Sequence, residues 1–154
     1  MKPEQFLKQT KQFEKNLEQL SKKHVAVGLP KEKVGGQIYG DGETVFTVGA
    51  SHEYGVGVPR RSFLRAPFSK NQDAINKTTE NQFRAIAEQG VKVEKALNII
   101  GVKARNISAK AFVTGGYGEW KPLSAATIEK KGSSQPLIDT GTLRNSITWA
   151  VRND

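Results

Sequence analysis

The residues that come closest to spelling out a reaction are Leu137-Ile138-Asp139-Thr140-Gly141. An apolar pair before Asp-Thr-Gly is the pattern of aspartic proteases of the retroviral type, in which two carboxylates share one proton and activate a water. A second piece of that pattern, Ile-Ile-Gly, occurs in Asn98-Ile99-Ile100-Gly101. The order is inverted, because in those proteases Ile-Ile-Gly follows the catalytic turn. Only 13 residues come after Gly141, which is too little chain for a flap and the sheet that cradles the aspartate. A proton shared between carboxylates also requires a rigid β-framework, whereas most of this sequence has helical spacing. The reading that uses the same residues better is structural. Asp139 or Thr140 caps the turn Gly141–Asn145 by accepting from its free N–H groups. Leu137, Ile138 and Leu143 anchor that turn in the core, and Ile147, Trp149 and Val151 form the inward face of a closing strand.

His52-Glu53 begins a zinc-protease helix motif, but Val56 stands where the second histidine would be. With two histidines and no cysteine in 154 residues, metal sites, disulfides and thiol nucleophiles have little or nothing to draw on. His52 and Glu53 therefore read as hydrogen-bonded structural groups at a strand-to-loop corner. The glycines between 35 and 42 are followed by no Gly-Lys-Ser/Thr and open no helix, so they make no phosphate loop. No nucleophile, base and orienting group can be named together, and the sequence is expected to be neither an enzyme nor a cofactor binder.

The net charge of +9 is spread along the chain. Residues 1–23 carry six lysines against three glutamates, residues 58–70 hold Arg60, Arg61, Arg65 and Lys70 with no acid, and residues 92–131 carry eight basic residues against three acidic ones. Such a balance favours an acidic protein surface or nucleic acid as neighbour. The three arginines could bind phosphates; interface or intrachain pairing is the preferred reading. No run approaches the roughly 18 apolar residues of a membrane span, and the charged N-terminus lacks the apolar stretch of a signal peptide.

These residues need a frame. The whole chain, 1–154, reads as a single domain. Phe6, Phe13, Leu17 and Leu20 recur on one face of an N-terminal amphipathic helix over residues 1–23, expected to face the core. His24–Pro30 alternates as a strand, residues 31–43 suit a mobile hairpin loop, and Thr44–Ala50 reads as the return strand. A helix is predicted from Pro67 to about Glu88, and a second from Val93 to Val113, where Val93, Leu97, Ile100, Ala104, Ile107 and Ala111 alternate steps of four and three. Gly115-Gly116 stops it, and Ser124 caps a short helix starting at Ala125. The fold class is α+β: a small antiparallel sheet packed against a long helical hairpin, with an N-terminal amphipathic helix.

Two stretches in this order resemble the tail-completion or virion-morphogenesis proteins, the head–tail joining proteins of Mu-like and lambdoid phages. The first is Val25-Ala-Val-Gly-Leu-Pro30 with His52-Glu-Tyr-Gly55 and Pro59-Arg-Arg-Ser-Phe-Leu-Arg65. The second is Pro122–Lys131 followed by Pro136–Ile147. The resemblance covers roughly residues 24–151; Tyr54 replaces the usual Phe, and Ser62 a Pro. It implies a non-enzymatic virion protein of the phage neck, made in the host cytoplasm and joining head connector to tail tube as a homo-oligomeric, sixfold ring. Its neighbours would be head-completion and tail tube or terminator proteins, with genomic DNA in the channel and no membrane. Arg60, Arg61, Arg65 and Tyr54 are then the partner-facing residues, and His52, Glu53, Asp139, Thr140, Gly141 and Leu143 the structural motif. A basic nucleic-acid-binding protein and a tail terminator of the same neck region are the alternatives.

Overall fold

The computed structural model describes residues 2–34, 36–39, 42–137 and 141–154. The helix α6 (Val93–Val113) is the element on which the others are laid. Its apolar spacing holds over 21 residues, and Val93, Ala96, Leu97, Ala104, Ile107, Ala111 and Phe112 are all buried. Along one side runs α5 (Gln72–Gln89), reversed through Gly90, whose left-handed φ of 67° closes the preceding helix. Along another lies a two-stranded antiparallel sheet of β1 (Lys23–Gly28) and β2 (Thr148–Asn153). The fold is thus α+β, with the small sheet, the α5–α6 hairpin and an N-terminal helix as expected.

The partner of β1 is not the one predicted. Its register runs from Lys23 opposite Asn153 to Gly28 opposite Thr148, so the first strand pairs with the last. The segment expected to return beside it is the helix α3 (Val45–Tyr54). Thr44 caps that helix, its hydroxyl accepting from the Thr47 N–H at 3.0 Å. Val45, Gly49 and Glu53, four residues apart, form its buried face. Gly49 is there for contact: a Cβ at that position would lie 2.4 Å from Leu29 Cδ1 and 3.1 Å from Leu143 Cδ1. Packing against the last joint of the chain overrides the strand preference of Val45-Phe46-Thr47-Val48.

It follows that residues 31–43 join a strand to a helix and are no hairpin between strands. They open with a single helical turn, α2 (Lys31–Val34), which buries Val34. Ile38 and Thr44 then form an isolated antiparallel bridge. The helix predicted from Pro67 begins two residues earlier and is broken in two, α4 (Arg65–Lys70) and α5, at Asn71, whose side chain donates to the Pro67 carbonyl. After α6, a left-handed turn, α7 (Gly115–Gly118), brings Tyr117 back so that its hydroxyl donates to the Ile107 carbonyl at 2.9 Å. Ser124 caps α8 (Ala125–Lys131) as predicted.

The N-terminal helix α1 (Pro3–Ser21) departs most from its expected packing. Only its C-terminal end meets the body, where Leu20 joins the cluster of Ile86, Val93, Ala96 and Leu97 with Val25 and Val151 of the sheet. Phe6 and Leu7 are 61% and 58% exposed, and Phe13 and Leu17 are also exposed. With Phe83 of α5 the last two line an open groove of about 670 Å³. The predicted core-facing stripe is largely uncovered.

Candidate functional site

The stretches His52–Gly55 and Arg61–Arg65 meet at the C-terminal end of α3. Tyr54 ends the helix, Gly55 reverses the chain with a φ of 76°, and the loop brings Arg61–Arg65 back beside the last turn. The Glu53 carboxylate, 4% exposed, then accepts five hydrogen bonds from that returning segment. Oε2 takes the Phe63 and Leu64 N–H groups at 2.8 and 3.0 Å. Oε1 takes the Ser62 hydroxyl at 2.8 Å, the Arg65 N–H at 3.1 Å and Arg65 Nε at 3.3 Å. Leu64 is the N-cap of α4 and offers no capping side chain. A carboxylate from another helix supplies the acceptor and the negative charge that a helix N-terminus favours. Glu53 is hydrogen-bonded within the fold, in the last turn of a helix and not at the expected strand-to-loop corner.

The same loop is tied from three other sides. The Ser62 hydroxyl accepts from the Ala66 N–H at 3.0 Å, Trp120 Nε1 donates to the Ser62 carbonyl at 3.1 Å, and the Ser108 hydroxyl of α6 donates to the Phe63 carbonyl at 2.6 Å. Phe63 is fully buried in a cluster with Val45, Ala111, Phe112, Leu143 and Ile147, its ring centroid 5.3 Å from that of Phe112. Leu143 enters this cluster from α9 (Thr142–Ser146), which follows Gly141 in a left-handed conformation with φ 76°. The joint before β2 therefore anchors in the core through Leu143 and Ile147, as the sequence indicates. Ile138, Asp139 and Thr140 lie outside the described residues, so the proposed cap by Asp139 or Thr140 has no geometry here.

The arginines divide. Arg61 is 5% exposed and spends its guanidinium on the Lys121 carbonyl, at 3.4 Å from Nε and 3.2 Å from Nη2. Burial lowers its pKa from the usual value. Arg65 pairs with Glu53 through Nε, and its guanidinium carbon lies 4.5 Å from the centroid of the exposed Tyr54 ring. Arg60 is exposed. Two of the three arginines expected to meet a partner thus hold their own loop, and Tyr54, Arg60 and the outer face of Arg65 form the surface that remains.

His52 is the group in this corner with least support. Its Nδ1 is buried with no hydrogen-bond partner. Burial, then the Arg61 charge, holds its pKa below the usual value, with the Pro59 carbonyl opposing and the Lys131 charge adding a smaller push downward. The Ser62 hydroxyl donates to Glu53 and not to His52, so these three residues make no nucleophile–base pair. Their chemistry is acceptance and charge neutralisation inside a folded loop. The features that sequence reasoning passed over are on helices: the exposure of the α1 stripe that begins at Phe6, the exposed Leu7, and the outward face of α6. Among the described residues no group of three His, Asp or Glu could hold a metal ion, and no helix is long and apolar enough to cross a membrane. No family model matches the chain, and no curated protein or solved structure matches it.

Proposed function

We propose that this chain is a structural protein of a tailed phage, a tail-completion or neck adaptor that joins the head connector to the tail tube as a ring. The observation that carries an assembly role is the α1 stripe. A helix about 28 Å long that leaves Phe6, Phe13 and Leu17 uncovered on one face exposes the kind of apolar surface that marks a protein–protein interface. The choice of assembly rests on the resemblance, whose two stretches lie against each other through Phe63, Leu143 and Ile147.

A two-stranded sheet supports the same reading, because among the described residues each strand has one edge without a strand partner. Tyr54, Arg60 and Arg65 offer a charged, aromatic patch that would set register between subunits more than affinity. The nucleic-acid alternative is weakened, since Arg61 and Arg65 are engaged within the chain. The reading is tested by imaging particles assembled without this chain. Separate filled heads and finished tails are expected; joined, infectious virions would end it.

A further inference from the structure

The helix α6 is covered by α5, by the sheet and by α4, yet one face of it stays in solvent along its whole length. That face carries Lys95, Ile99, Val102, Lys103, Lys110 and Val113, spaced by four, three, one, seven and three residues, so that they share one side of the helix. Val113 is 50% exposed, and Ile99 and Val102 are also exposed. Glu94, the one acidic residue of α6, sits on a different flank and pairs with Lys23 at 3.3 Å. Lys95 and Lys103 make no ion pair among the described residues, and Lys110 lies 6.0 Å from the Tyr117 ring centroid. The result is a stripe of three lysines and three aliphatic side chains around Asn106, with no acid on it, running about 27 Å.

We propose that this face docks an acidic amphipathic helix of a partner protein, whose apolar side covers Ile99, Val102 and Val113 and whose carboxylates flank Lys95, Lys103 and Lys110. The composition selects the occupant. A phosphate backbone would satisfy the lysines and leave the aliphatics against its charge. An anionic bilayer would need the helix to sink about 5–10 Å, which α5 and the sheet on its sides oppose. An acidic helix with apolar anchors at i, i+3, i+4 and i+7 meets both halves of the stripe at once. This docking does not depend on the neck reading: it assigns a partner chemistry to a surface that the loop arginines and α1 leave untouched.

The probe is a labelled 18-residue peptide with leucines at those anchor spacings and glutamates beside them, titrated against the full chain by fluorescence anisotropy. Its comparators are a permuted peptide of the same composition, a 20-base-pair duplex, and vesicles of phosphatidylcholine with phosphatidylserine. The amphipathic peptide is expected to bind in the micromolar range and about tenfold more tightly than the permuted one. Lys95→Glu with Lys103→Glu, and separately Val102→Asp, should each weaken it by about tenfold, with unchanged circular dichroism. Lys8→Glu with Lys11→Glu on α1 should change it by less than about twofold. Equal binding of the permuted peptide, tighter binding to duplex or vesicles, no binding, or indifference to the α6 variants would each overturn the proposal.

Discussion

Glu53 and Ser62 face each other at 2.8 Å across the loop that follows α3, and the Ser62 hydroxyl that donates to this carboxylate also accepts from the Ala66 N–H. Through this pair the end of one helix holds the beginning of the next. Because the carboxylate is buried and accepts five donors, its loss strands three backbone N–H groups. Glu53→Gln should cost about 2–4 kcal/mol in urea unfolding, and Ser62→Ala about 1 kcal/mol. A loss below about 0.5 kcal/mol for Glu53→Gln would mean that the loop is held without the carboxylate's charge.

Trp149 and Gly101 give a second, independent test. A Cβ on Gly101 would come within 2.2 Å of Trp149 Cδ1, and the indole N–H is held by Asn98 Oδ1 at 3.0 Å. Gly101→Ala should therefore destabilise by about 1–3 kcal/mol through overpacking, against the gain of up to about 1 kcal/mol that alanine brings to a helix interior. Trp149→Ala should relieve most of that penalty in the double variant. Stabilisation by Gly101→Ala alone would show that the indole does not sit on α6.

The pH dependence follows from His52. Its folded pKa lies below the usual 6.5, chiefly through burial. As pH falls through that value the unfolded chain takes up a proton that the folded chain resists, so stability falls with pH until the folded histidine itself is protonated. The melting temperature should drop between about pH 7 and pH 5, and His52→Gln should flatten that part of the profile. An identical slope in the variant would assign it to other groups.

On α1 the two ends should behave differently. Leu20→Ala removes a side chain from the cluster of Ile86, Val93 and Leu97 and should cost about 2 kcal/mol. Phe6→Asp should leave the melting temperature within about 2 °C, since Phe6 is 61% exposed, while lowering self-association measured by light scattering. A large thermal loss with Phe6→Asp would place that residue in the core.

How far the sequence could be read depended on range. The helix α6 was legible because its three–four spacing persists over 21 residues and glycines follow it. The joint after Gly141 was legible through Leu143 and Ile147, apolar residues in a polar stretch. The helix α3 was not, because Val45–Val48 is β-branched and aromatic, as strands are, and Gly49 looks like a helix breaker. Its buried face packs at Gly49 against Leu29 and Leu143, which are remote in sequence. The Glu53 clasp was equally hidden, since its donors lie nine to twelve residues ahead, beyond a turn whose direction is set by Gly55. That turn also decides the fate of the arginines: it directs Arg61 to the Lys121 carbonyl and Arg65 to Glu53, and neither contact leaves a mark in residue spacing. For α1 the spacing gave the stripe but not what covers it.

The most direct test of the adaptor account is a cryo-electron microscopy reconstruction of the neck of particles assembled with this chain. The account predicts a closed ring of its copies between connector and tail tube, with the α1 stripe covered by neighbouring protein. A neck that is complete, joins head to tail, and contains no copy of the chain would contradict it.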